Sequence, residues 1–253
     1  MTEGFFIFTK CEGERNTNPK RTFLLFAFVS AVLLAGYFVI ERFELLGAAN
    51  RLTGMQALPD GFKSHGIDVS HYQGDIEWEL LFDNHPIDFV YCKVTEGNTL
   101  IDSKWKKNQS SLQSLQIKHG GYHFYIPDLS PIEQAKHFLA NYSISQEDLP
   151  PVLDIETIGV SDEILVKDIK EWLRYVESET GRKPVIYAGY NMYRRLLKSE
   201  FETYKFWIAN YADRPDRFLD PNIIHWQYND HGKISGIDGA VDFNFSKIDF
   251  THR

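Results

Sequence analysis

With 253 residues, 43% hydrophobic and 15% aromatic, the chain carries ample material for a buried core, which excludes an intrinsically disordered protein. Asp plus Glu number 35 against 27 Lys plus Arg, a net charge of -8, and there is no dense basic run, so nucleic acid is not expected as a partner. The two cysteines, Cys11 and Cys92, fall on opposite sides of a hydrophobic segment, which argues against an intrachain disulfide.

That segment comes first in chain order. Phe23 to Ile40 are 18 consecutive uncharged residues. At about 1.5 Å per residue they nearly span a bilayer core of roughly 30 Å. Lys10, Arg15, Lys20 and Arg21 precede the run, and only Arg42 and Arg51 follow it closely, so the positive-inside rule places the N-terminus in the cytoplasm. The expected organisation is a cytoplasmic tail over residues 1–21, a transmembrane anchor over 22–41, a linker over 42–63 and a globular domain over 64–253. This describes a single-pass protein of the inner, cytoplasmic membrane with its globular domain periplasmic or extracellular. A cleaved signal peptide processed near Gly47-Ala48-Ala49 is the competing reading, against which stand the long apolar run and the long charged tail. Tyr37 occupies the place where a lipid-bearing cysteine would follow Leu34-Ala35-Gly36, so lipidation there is excluded.

Beyond the linker, which carries Gly47, Gly54, Pro59 and Gly61, runs rich in Val, Ile, Tyr and Phe predict eight strands: 65–70, 89–96, 120–126, 151–156, 184–189, 206–211, 224–228 and 241–245. The first five are each followed by a helical pattern, near 75–84, 102–117, 131–142, 161–179 and 191–203. Such alternation implies an α/β fold with a parallel sheet and helical crossovers. The last three strands are joined by segments with Pro215, Pro221, Gly232, Gly236 and Gly239, expected to form hairpin-like or irregular turns. Five strand-helix units followed by three strands point to a modified TIM-like barrel, flattened and incomplete. It is compressed into about 190 residues where the regular barrel takes about 250.

In such barrels chemistry sits at the C-terminal ends of the strands. The fourth strand ends in Leu153-Asp154-Ile155-Glu156. Residues two apart on a strand share a face, which holds the two acids about 6.6 Å apart at Cα. Like charges that close drive their pKa values apart, the division of labour that glycosidic bond cleavage requires. The plain alternative is a helix-capping acid beside a solvated one. Other strand ends carry Asp68, Glu96, His123, Tyr125, Tyr187, Tyr211, Trp226, Gln227, Asp242 and Asn244, polar and aromatic groups that suit a cleft better than a barrel core. His123 has no His or Cys partner at ligand spacing, so it reads as a structural or hydrogen-bonding histidine, and no metal or other cofactor is expected.

Seven blocks, in order, resemble glycoside hydrolase family 25, the Chalaropsis-type lysozymes. They are Gly66-Ile67-Asp68-Val69-Ser70 with Gln73-Gly74, Lys93-Val94-Thr95-Glu96-Gly97, Gly121-Tyr122-His123-Phe124, Leu153-Asp154-Ile155-Glu156, Trp207-Ile208-Ala209-Asn210-Tyr211, Trp226-Gln227-Tyr228 and Val241-Asp242-Phe243-Asn244. The resemblance covers about residues 65–248 and leaves the anchor unaddressed. It implies an N-acetylmuramidase that acts on peptidoglycan glycan strands, cutting the β-1,4 bond between N-acetylmuramic acid and N-acetylglucosamine.

Carried over by position, Glu156 is the general acid and Asp154 the anion that orients the substrate's 2-acetamido group. Asp68 and Asp242 complete the acidic set, and configuration is retained. Tyr125, Tyr187, Tyr211, Trp226 and Gln227 are expected to contact sugar, with barrel-mouth packing the alternative for the aromatics. Two other functions stay open on the residues alone: a membrane-tethered glycan-binding module without turnover, and a glycosidase acting on other 2-acetamido glycans. The oligomeric state is not readable.

Overall fold

The β-branched and aromatic runs form strands, and the computed structural model, which describes residues 32, 34–39, 54–212 and 215–251, closes them into a barrel. Two compact units divide between Ala49 and Asn50. In the first, residues 34–39 are helical and exposed. The remainder of the expected anchor over 22–41, together with the tail, lies outside the described residues apart from Val32. Among the described residues no helix is long and apolar enough to cross a membrane.

The second unit holds β1 (Ser64–Val69), β2 (Phe89–Glu96), β3 (Leu100–Ile101), β4 (Lys118–Phe124), β5 (Val152–Ile155), β6 (Val185–Gly189), β7 (Lys205–Ala209), β8 (Ile223–Gly232) and β9 (Val241–Ser246). Around the sheet the order is β1, β9, β8, β7, β6, β5, β4, β2, and β1 also pairs with β2, so these strands close on themselves. The wall is therefore complete, where the sequence pattern suggested an incomplete barrel. The two-residue β3 hangs antiparallel from the end of β2 and is too short to leave a periodic signal.

Helices α1 (Trp78–Asn84), α2 (Trp105–Ser114), α3 (Pro131–Asn141) and α4 (Asp162–Thr180) cross the outside, close to their predicted spans. Ser161 caps α4 by accepting from the Ile164 N–H, and Gly181 ends it at φ 65, the left-handed conformation glycine adopts without strain. The fifth predicted helix is a composite: an α turn (Tyr190–Met192), a π turn (Tyr193–Leu197) and a further α turn (Lys198–Glu200). The last three strands meet expectation in part, since β8 and β9 pair antiparallel. β7 and β8 run parallel, linked by the 3-10 turn Pro215–Phe218, and only β9 reverses, antiparallel to both β8 and β1.

Strand alternation sorts the apolar residues into two layers. Phe89, Tyr91, Val152, Val185, Tyr187 and Trp207 fill the barrel. Val90, Cys92, Leu153 and Ile155 face outward, against Leu165, Ile169, Trp172 and Leu173 of α4 and the other helices. Inside, space is tight enough to require glycine. A Cβ on Gly66 would sit 2.3 Å from the Phe89 ring, and one on Gly120 2.5 Å from that of Tyr91.

The expected linker over 42–63 does not stay free along its length. From Gly54 onward it packs on the barrel: Met55 and Phe62 are buried, the Gln56 N–H donates to Tyr228 Oη (3.3 Å) and Asn229 Nδ2 to the Gly54 carbonyl (3.0 Å).

Candidate active site

Parallel strands bring their C-terminal ends to one mouth, and the register decides which side chains meet there. Phe124 pairs with Asp154, Asp154 with Tyr187 and Tyr187 with Trp207, so these four stand on one level of the wall. On the opposite arc Asp68 pairs with Asp242, and Gln227 with Asn244. Together they border a cavity of about 240 Å³. Its carboxylates include Asp68, Asp154, Glu156 and Asp242, its walls Tyr122, Phe124, Tyr187, Trp207 and Tyr211, and Lys93 is the one basic residue among the described lining residues.

Asp68 is the hub of a buried network. Its Oδ2 accepts from Asn244 Nδ2 at 2.7 Å and from Gln227 Nε2 at 3.0 Å. Each amide is held in turn. Gln227 Oε1 accepts from the hydroxyls of Tyr187 and Tyr211, both at 2.8 Å, and Asn244 Oδ1 accepts from the Trp207 indole N–H at 2.8 Å. With both ends of each amide committed, the donors facing Asp68 cannot flip. Asp68 also lies within hydrogen-bonding reach of Asp242. Burial and the Asp242 charge push Asp68 well above the carboxylate range, while burial raises Asp242 to about 6.

Asp154 lies in β5, buried, and Glu156 just past its end, at the mouth. Burial and then the Glu156 charge push the Asp154 carboxyl well above its usual range, opposed by Lys93. Partial burial raises Glu156 as well, again opposed by Lys93. Burial and the second acid weigh against the anion expected at Asp154, and the Lys93 charge weighs for it. Asp154 Oδ1 is buried without a hydrogen-bond partner. Lys93 is buried too, bonded to Glu96 at 2.6 Å, with its ammonium over the Phe124 ring at 4.8 Å.

Of the expected sugar contacts, Tyr187, Tyr211 and Gln227 line the cavity. Tyr125 and Trp226 do not. Tyr125 follows the inward Phe124 and points the other way, fully buried in the layer under the helices. Trp226, next to the inward Gln227, stacks on Phe218 (centroids 4.3 Å apart) and donates its indole N–H to the Asn210 carbonyl at 2.7 Å. His123 likewise faces outward. Its Nε2–H donates to Gln134 Oε1 (3.2 Å), its Nδ1 accepts from the Thr95 hydroxyl (2.8 Å), and burial lowers it to about 3, a structural histidine as read from the sequence. Lys93, Tyr122, Phe124 and Trp207 were not singled out beforehand. Counting alternate positions back from Asp154 through the strand register would have found the last two.

Residues 67–237 match the family described as Glycosyl hydrolases family 25. The chain belongs to that family. Lysozyme M1 of Streptomyces globisporus is 31% identical over 197 residues, covering 71% of this chain and 66% of that protein. The protein YegX of Escherichia coli (strain K12) is 38% identical over 192 residues, covering 74% of this chain and 71% of its own length. Among solved structures, a family 25 glycosyl hydrolase from Bacillus anthracis superposes with a TM-score of 0.68 at 28% identity, covering 75% of this chain and 91% of the other. This chain is accordingly a glycoside hydrolase, and its barrel is the family's fold.

Proposed function

We propose that the enzyme is a lysozyme that cuts the β-1,4 bond between N-acetylmuramic acid and N-acetylglucosamine in peptidoglycan. The observation that carries this reading is the pair at the end of β5: an exposed Glu156 at the cleft mouth and, one pleat below it, a buried Asp154 with one oxygen unpartnered. A raised carboxyl at the mouth suits proton delivery to the glycosidic oxygen near neutral pH. An orphaned acceptor beside it suits an N–H donor from the substrate, which a 2-acetamido group supplies. The relative named Lysozyme M1 supports the same substrate class.

The chemistry follows from that placement. Glu156 donates its proton to the leaving oxygen as the substrate's acetamido oxygen attacks the anomeric carbon. Asp154 accepts the acetamido N–H. Hydrogen bonding and the positive charge developing on that amide both favour the ionised carboxylate at Asp154. Glu156, now a base, takes a proton from water attacking the cyclic intermediate, and configuration is retained, a substrate-assisted route rather than a two-carboxylate one. Asp68 holds the Gln227 and Asn244 amides and, through Gln227, Tyr187 and Tyr211, with Asp242 beside it.

Glu156→Gln keeps size and hydrogen bonding but has no proton to give. Hydrolysis of peptidoglycan should fall at least about 100-fold while binding persists. New reducing ends from the wild type should be muramic acid, and ends that are glucosamine would move the enzyme to a different bond. Near-wild-type turnover by a folded Glu156→Gln would refute the assignment. We infer further, from the uncharged run Phe23 to Ile40 and the basic residues before it, that residues 22–41 tether the enzyme to the cytoplasmic membrane with its barrel outside the cytoplasm.

A further inference from the structure

Tyr72 is 80% exposed, yet the turn that carries it is tied to the barrel by several hydrogen bonds. It sits in the 3-10 turn His71–Gln73 that follows β1. Ser70 Oγ accepts from the Tyr72 N–H, and the Gln73 side chain accepts from the Ser70 N–H at 2.8 Å, a reciprocal cap. Gln73 Nε2 then reaches across to donate to the Ala240 carbonyl at 2.8 Å, fastening the turn to the segment before β9.

The ring itself is backed. His71 lies against Tyr72, centroids 4.2 Å apart and planes inclined by 34°. His71 is fixed by Asp102, whose Oδ2 accepts both its backbone N–H (2.9 Å) and its Nδ1–H (2.8 Å). Asp102 is buried, with its Oδ1 accepting the Lys104 N–H at 2.9 Å, and it stands immediately after β3. The small appended strand thus delivers a buried carboxylate that steadies a surface aromatic.

An exposed side chain gains nothing in core packing from such anchoring, and single exposed aromatics elsewhere need none. Tyr72 borders the same cavity as the catalytic acids, with one ring face covered by His71 and the other open. Holding a flat ring still before a ligand arrives removes the entropy cost of ordering it on binding. Sugars present apolar C–H faces that pack on aromatic rings.

We propose that Tyr72 forms an aromatic subsite that stacks a pyranose ring of the glycan strand away from the scissile bond, with His71 and Asp102 as its positioning residues. The proposal rests on the reading of the cleft as a glycan hydrolase site. It extends the bound length of the strand beyond the sugars that touch Glu156 and Asp154, so long strands should be preferred over short oligomers.

The Glu156→Gln variant separates binding from turnover. Its Kd for insoluble peptidoglycan, measured by sedimentation, should rise about 10-fold when Tyr72→Ala is added, and Tyr72→Trp should restore it. In the otherwise wild-type enzyme, Tyr72→Ala should raise KM for long glycan strands about 10-fold with kcat changed by less than about 2-fold. His71→Ala should reproduce part of the KM effect and His71→Phe, which keeps a backing ring, should rescue it. A Kd indifferent to Tyr72→Ala would overturn the subsite while leaving the hydrolase reading intact. Failure of folded Glu156→Gln to bind peptidoglycan at all would overturn both.

Discussion

Asp242 shows how a carboxyl lining the cleft burdens the fold that holds it. Its pKa stands at about 6 against 3.8 for an ordinary aspartate, raised chiefly by burial. A carboxyl with a raised folded pKa binds its proton more tightly in the native state than in the unfolded chain. Its favourable contribution is therefore fully present below about pH 3.8 and is lost as pH rises through about 6. Above that, the ionised group costs on the order of 1 to 3 kcal/mol, after allowance for its partial contact with solvent. Asp242→Asn removes the charge yet keeps an oxygen to accept from Asp68. Its melting temperature should exceed the wild type's by roughly 3 to 10 °C at pH 8, and the gain should vanish near pH 4. Activity should fall in the same variant, since the cleft loses one of its negative charges. Equal melting curves for the two proteins at pH 8 would show that the pair carries no strain.

At the scale of the strand, parity governs what is a site and what is core. Tyr125 and Trp226 look like cleft aromatics because they end strands beside residues that do line the cavity. A single step along a strand reverses the face, and composition carries no mark of which face is inward. The spacing of Asp154 and Glu156 was legible because it is internal to one strand. The eight strands of the wall and four of the five crossovers were legible too, since each is a run long enough to show its period. What escaped depended on partners distant in sequence: closure through β1 and β2, the parallel β7 and β8 pairing, and the inward turn of Lys93. The π turn Tyr193–Leu197 escaped for a different reason, as its apolar spacing differs little from that of an α-helix. Tyr125 gives a direct check of the parity argument. Its hydroxyl is buried without a hydrogen-bond partner, so removing it relieves a desolvated polar group. Tyr125→Phe should leave kcat/KM for peptidoglycan unchanged and hold or raise stability by about 1 kcal/mol in urea. A drop in kcat/KM with the fold intact would return Tyr125 to the cleft.

For the molecule as a whole, the decisive question is where the enzyme begins. Sequence pattern sets the start of the globular domain at residue 64, because the preceding stretch is mixed in composition and shows no period. The barrel contradicts a start that late. Phe62 lies among Phe218, Trp226 and Phe245, with ring centroids 5.8 to 6.3 Å away, and Lys247 sits over it at 5.9 Å. Met55 is buried as well, and the Lys63 N–H donates to the Ser246 carbonyl at 2.7 Å. Losing one buried Phe costs about 3 to 5 kcal/mol, and losing a Met beside it about 2 to 5, before any hydrogen bonds are counted. These amounts rival the total stability of a domain, about 5 to 15 kcal/mol. Two truncated chains, 54–253 and 64–253, should therefore behave differently although both contain every residue of the cleft. The longer should melt cooperatively and hydrolyse peptidoglycan. The shorter should melt at least about 10 °C lower or fail to stay in solution. If residues 22–41 form the anchor, the full chain should sediment with membranes and resist extraction by high salt, whereas 54–253 should not. Equal melting temperatures for the two truncations would mean that the segment before residue 64 rests on the barrel without supporting it, and would restore the boundary read from the sequence.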